Sequence, residues 1–290
     1  MDVSLQPTVR AFFHPDSGTF SYVVHAAEGG GAAIIDPVLD YDAASACTAT
    51  HSVDAIVDYV RARRLCVRWI LDTHAHADHL SAGGHLRTQL GAPLAMSRGI
   101  VGLQAHFKDI FGLGDAFAAD GRQFDRLLDD GDALQAGEFD IRVLATPGHT
   151  SDGLTYLIGD AAFVGDTLFA PDVGTARCDF PGGDAATLYD SIQRILALPT
   201  DIRLYLCHDY PPVARRDAVP QTSIAEQRAG NIHVGGGTAR AAFVAMRQAR
   251  DATLSPPRLM LPALEANIRA GALPAPATSG VAGFGDLGRT

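Results

Sequence analysis

Two rhythms of apolar residues run along this chain. Val53, Ile56, Val57 and Val60 recur at i, i+3, i+4 and i+7, which predicts an amphipathic helix. Leu188, Ile192, Ile195 and Leu196 mark a second helix, which Pro199 terminates. His85 to Leu90 reads as a third, ended by Gly91. Between them lie short, dense apolar runs at Phe20–His25, Ala32–Ile35, Val67–Leu71, Phe139–Ala145, Leu154–Ile158, Ala161–Val164 and Ile202–Leu206. Runs of that length predict buried strands. The first two, separated by Glu28-Gly29-Gly30-Gly31, read as a hairpin or meander that Asp36-Pro37 stops. Residues 105–131, broken by Gly112, Gly114 and Gly121, read as an irregular excursion near the mouth of a site.

Strands followed by a helix, twice over, predict an α+β sandwich of two sheets with helices outside. Hydrophobic residues make up 47% of the 290, enough to fill the core such a sandwich needs. After Pro211 the composition shifts. Residues 222–254 are helical in character, and Ala270 to Thr290 is rich in Gly, Pro and Ala. The expected division is a catalytic core at 1–210 and a helical extension with a tail at 211–290, packed on the core.

A net charge of −10 repels phosphate backbones and argues against a nucleic-acid partner. No apolar run has the length of a membrane span, and Met1 to Arg10 lacks the pattern of a signal peptide. The expectation is a cytoplasmic protein without a membrane partner. Cys47, Cys66, Cys178 and Cys207 match no zinc-finger spacing and read as reduced thiols.

The chemistry concentrates at strand ends. His74, His76, Asp78 and His79 fall within six residues, directly after the run Val67–Leu71. His149 follows Thr146-Pro147-Gly148, Asp166 follows Gly165, and His208 follows the run Ile202–Leu206. Singly, each of the last three reads as a loop or turn residue. Together, seven imidazoles and carboxylates at strand ends can converge on one edge of a sandwich, where they suit zinc or iron.

The segments THAHADH, TPGHT, GDTLF and CHDY resemble the metallo-β-lactamase superfamily over about the first 210 residues. The resemblance implies an αβ/βα four-layer sandwich with metals at one edge of the sheets. It also implies a first metal position of His74, His76, His149 and Asp166, and a second of Asp78, His79, Asp166 and His208. True β-lactamases of the superfamily commonly carry cysteine where this chain has Asp166. A carboxylate there is the pattern of the glutathione thioesterases (glyoxalase II) and of the persulfide dioxygenases.

The stretch Arg177-Cys178-Asp179-Phe180, followed by Thr187-Leu188-Tyr189, resembles the persulfide dioxygenases. Glu226, Asn231 and Asn267-Ile268-Arg269-Ala270-Gly271 resemble the tail of that group. Gly174-Thr175-Ala176 departs from its usual Gly-Cys-Gly, and 105–131 and 211–221 look lengthened.

By this resemblance one iron(II) per chain is expected on His74, His149 and Asp166, with O2 and glutathione persulfide as substrates. His76, Asp78, His79 and His208 would then orient ligands and water, and Arg177, Tyr210 and Asn231 would contact the thiol carrier. The alternative is a glutathione thioesterase with two zinc ions on the same seven residues. Cys178 and Cys207 flank the site but read as small buried thiols, not nucleophiles. A homodimer is expected, with a separate rhodanese-like sulfur-transfer protein as partner.

Overall fold

A computed structural model describes residues 6–273. The tail read at Ala270–Thr290 lies outside the described residues from 274 onward, as do the first five residues. In chain order the strands are β1 (Thr8–His14), β2 (Thr19–His25), β3 (Gly31–Ile35), β4 (Val38–Asp42), β5 (Cys47–Ala49), β6 (Cys66–Leu71), β7 (Leu80–Ser81), β8 (Leu94–Ser97), β9 (Arg126–Leu128), β10 (Ala133–Ala136), β11 (Phe139–Ala145), β12 (Leu154–Ile158), β13 (Ala161–Phe163), β14 (Arg203–Tyr205) and β15 (Gln221–Ser223). The helices are α1 (His51–Ala62), α2 (Gly83–Leu90), α3 (Ile100–Ile110), α4 (Ala185–Leu196), α5 (Ile224–Gly230), α6 (Arg240–Asp251) and α7 (Met260–Asn267).

Two mixed six-stranded sheets, β1-β2-β3-β6-β8-β9 and β10-β11-β12-β13-β14-β15, stack face to face. Side-chain alternation assigns each strand two duties. In β3, Ala33 and Ile35 face the other sheet, while Ala32 and Ile34 face helices. In β12, Tyr156 and Ile158 point between the sheets and Leu157 points to the outer helices. Both faces are buried, which is why these strands read as continuous apolar runs rather than alternating ones.

The stripe Val53, Ile56, Val57 and Val60 of α1 packs on the first sheet, alongside α2, α3 and α7. The α4 stripe Leu188, Ile192 and Ile195 packs on the second with Ile224 and Phe243. The result is the expected four-layer α+β sandwich of the metallo-β-lactamase fold. The second sheet takes its edge strand β15 from beyond position 211, antiparallel to β14.

The excursion expected at 105–131 is partly regular. Ile100, Leu103, Gln104 and Phe107 form the buried face of α3, and Phe117 and Phe124 join the same outer core layer. Gly112 and Gly114 lie after the helix, at positive φ, and do not interrupt it. Among the described residues, no helix is long and apolar enough to cross a membrane.

Candidate metal centre

Each of the seven residues sits just beyond the end of a strand. His74 to His79 follow β6, His149 follows β11, Asp166 follows β13 and His208 follows β14. Gly148 makes the approach of His149 feasible. Its φ is 136°, and a Cβ there would lie 2.3 Å from the Leu188 backbone of α4.

The donors fall into two groups whose ligand atoms lie within 4.8 Å of one another. One is His74, His149 and Asp166; the other is His76, Asp78, His79 and His208. Asp166 stands between them. Its Oδ2 lies 3.9 Å from His74 Nε2 and 3.5 Å from His149 Nε2, and its Oδ1 lies 3.4 Å from His208 Nε2. Asp78 Oδ2 is 3.3 Å from His208 Nε2 and 3.4 Å from His79 Nδ1.

The free atoms of these side chains test whether a metal fits. Nε2 of His74, His79 and His208, Nδ1 of His76 and Oδ1 of Asp166 are buried without a hydrogen-bond partner among the described residues. An unsatisfied buried polar atom costs about 1–3 kcal/mol. Five of them at the ligand positions of two such groups fit a site built for cations.

The opposite ring nitrogens are held by the protein. His74 Nδ1 is 3.1 Å from Thr73 Oγ1 and His149 Nδ1 donates to the Arg177 carbonyl at 2.7 Å. His76 Nε2 is 3.0 Å from Asp36 Oδ1, and the Nδ1 atoms of His79 and His208 both approach Thr19 Oγ1. Such partners fix the tautomer and the ring orientation.

The electrostatics agree with this division. Burial and neighbouring imidazoles push His74 and His76 well below the ordinary histidine value, so both are neutral and carry a free lone pair. Burial pulls His208 down, but Asp166, Asp78 and Asp36 outweigh it and raise the imidazole. Asp78 loses solvation, yet His208 and His79 hold its carboxyl well below the usual carboxylate range.

Several supporting residues were not singled out from the sequence. Asp36 read only as a strand stop. It is buried at φ 48° and accepts from Thr73 N and Oγ1 as well as meeting His76. Its place at the end of β3, like that of the ligand-type residues on their strands, was the signal. Asp152 accepts from Ala75 N at 2.8 Å. Asn267, noticed only as part of a tail resemblance, donates to the carbonyls of His76 and His79 and accepts from Ser81 N. The C-terminal helix α7 thereby holds the histidine loop.

A cavity of about 370 Å³ opens over Asp78, His149 and Asp166, with Phe169, Phe180 and Leu254 among its apolar walls. None of residues 105–131 lines it. Tyr210 does, with its ring stacked on His208 at 5.6 Å. Arg177 lines it too, but its guanidinium is taken. It donates to both oxygens of Asp179 at 2.5 Å and to Ser255 O at 2.8 Å. Asn231 is absent from the lining. It is buried, donates to Gly174 O and Gln227 Oε1, and accepts from the backbone N–H of His233. Cys178 and Cys207 are buried, and burial pushes the Cys178 thiol up to about 12 and the Cys207 thiol well above its ordinary value. A thiol so held is a poor nucleophile.

The profile of the metallo-beta-lactamase superfamily matches residues 14–208. The chain is 50% identical over 284 residues to a probable metallo-hydrolase of Burkholderia pseudomallei, covering 94% of this chain and 96% of that protein. It is 34% identical over 206 residues to the human mitochondrial persulfide dioxygenase, covering 70% of this chain and 68% of that one. The crystal structure of ETHE1 from Myxococcus xanthus superimposes with a TM-score of 0.72 at 32% identity, covering 91% of this chain and all of that one. Fold, donor geometry and sequence agree: this chain belongs to the metallo-beta-lactamase superfamily, as a metal-dependent enzyme homologous to the persulfide dioxygenases.

Proposed function

We propose that the protein oxidises a low-molecular-weight persulfide, glutathione persulfide by preference, with O2 to sulfite and thiol, at one iron(II) held by His74, His149 and Asp166. The observation that carries this reading is the compact His74–His149–Asp166 group. Two histidines and one carboxylate on one face suit non-haem iron(II) with open positions. The likeness to the human persulfide dioxygenase supports the same choice.

The reaction balances as persulfide anion, O2 and water giving thiol, sulfite and one proton. The terminal sulfur loses four electrons and O2 gains them. Iron(II) held by His74, His149 and Asp166 would supply the redox chemistry that activates O2 toward the persulfide sulfur.

The chain's own groups do the rest. Phe169, Phe180 and Leu254 keep water from the reacting sulfur. Tyr210 borders the cavity over His208. Arg250 lines the cavity without an ion-pair or hydrogen-bond partner for its guanidinium among the described residues, and it meets a carboxylate of the carrier.

The second group, His76, Asp78, His79 and His208, favours a second reading. There these four residues would hold a second zinc ion beside the first group, and the metals would supply an activated water for thioester hydrolysis. Anaerobic purification, metal analysis and oxygen uptake on glutathione persulfide decide between them. One iron per chain with rapid uptake is expected. Two zinc ions, no uptake and rapid thioester cleavage would overturn the dioxygenase.

A further inference from the structure

His149 reaches the metal centre from a turn, and its Nδ1–H is tied to a single carbonyl, that of Arg177, at 2.7 Å. Its ring also meets Phe180 edge to face, with centroids 5.2 Å apart. Both contacts come from the loop at 174–180. What holds that loop therefore holds His149.

The hold comes from α6, where Arg247 is 1% and Asp251 6% exposed. Arg247 donates from Nε to Asp251 Oδ1 at 2.9 Å, and its Nη2 lies 2.7 Å from the same oxygen. Its Nη1 donates to the Thr175 carbonyl at 3.2 Å. The other oxygen of Asp251 accepts from Cys178 N at 2.9 Å. The pair thus grips the backbone on both sides of Arg177, two residues before it and one after.

A buried ion pair contributes little net stability against an apolar replacement, because both charges lose their water. Its value lies in fixed geometry, and this geometry ends on His149. We propose that the Arg247–Asp251 pair is a positioning device for His149. It fixes the Arg177 carbonyl, which sets the Nδ1–H tautomer and turns Nε2 toward Asp166. This rests on the reading of His149 as a metal ligand, but not on which reaction follows. Partners of metal-bound histidines typically change metal affinity 10–100-fold when removed.

The test titrates Co(II) into chelator-stripped protein and follows its visible absorption. Asp251→Asn is compared with the double variant Arg247→Met/Asp251→Leu, which leaves no lone buried charge. Both should fold by circular dichroism, bind Co(II) at least tenfold more weakly and show an altered spectrum. If Asp251→Asn does not fold, the double variant decides. Wild-type affinity and spectrum in a folded clamp variant, with both lost in His149→Ala, would overturn the clamp alone. Wild-type affinity in His149→Ala would overturn the reading of His149 and the clamp with it.

Discussion

The hydroxyl of Thr19 lies 3.2 Å from Nδ1 of His208, 189 positions along the chain, and the two backbones meet in an isolated antiparallel bridge. The same hydroxyl is 3.3 Å from Nδ1 of His79 and 2.6 Å from Ser17 Oγ. One oxygen can accept from both imidazoles and donate its own hydrogen to Ser17. Thr19→Val removes that acceptor and leaves the buried Nδ1–H of His208 unpaired, at about 1–3 kcal/mol; Thr19→Ser restores it. In the one-iron enzyme the valine variant lowers the thermal midpoint while iron stays at one per chain. Loss of half the metal in that variant, by elemental analysis, would instead place His79 and His208 among the ligands.

Metal removal should be visible without any substrate. The five unpartnered donor atoms make the empty centre costly, and an ion bound at a thousand times its Kd adds about 4 kcal/mol of stability. For a chain of this size that is a rise of roughly 10 °C in thermal midpoint. Scanning calorimetry of stripped and reloaded protein measures it. Asp166→Ala, which removes the carboxylate facing both groups, should lose most of the rise and nearly all activity.

Arg250 and Arg177 should separate in steady-state kinetics. Arg250→Ala removes a cation with no partner among the described residues, so KM for glutathione persulfide rises roughly tenfold while kcat holds. An uncharged alkyl persulfide should not register the change. Arg177→Ala breaks the contacts to Asp179 and Ser255 O and frees the loop beside His149, so it should lower kcat. Equal KM effects on charged and uncharged substrates would remove Arg250 from the binding role.

Acid should weaken the fold through His233. Thr175 N–H donates to its Nδ1 at 3.0 Å, which requires a neutral ring. Burial, then Arg247 and Arg250, lowers its pKa to about 4. A depressed histidine contributes stability that is complete above its unfolded value near 6.5 and is lost as pH falls toward 4. His233→Asn keeps an acceptor but does not titrate. Urea unfolding should therefore show the gap between wild type and variant shrinking by about 2 kcal/mol from pH 7.5 to pH 5.

Much of the fold was legible because its strands are buried on both faces. Runs such as Leu154–Ile158 and Phe139–Ala145 announced themselves as strands with their observed limits. Strand β1 did not, because all seven of its residues are at least partly solvent-facing in an edge position and no apolar rhythm marks it. Helix α3 carried its helical stripe, but the glycines just after it drew attention to irregularity instead.

The sequence by itself determined the donor inventory. Histidines and aspartates in such density at strand ends have few roles other than binding a cation, and strand ends are local features that periodicity reveals. Only the tertiary structure decided how those donors divide: His76 beside Asp78, His79 and His208 rather than in the first group, Arg177 already paired, Asn231 away from the cavity. Thr19, Asp36, Asn267 and the Arg247–Asp251 pair act across 40 to 191 residues of chain. Such contacts leave no local pattern, because the hydrogen bond that orients a ring depends on which strands and helices pack together.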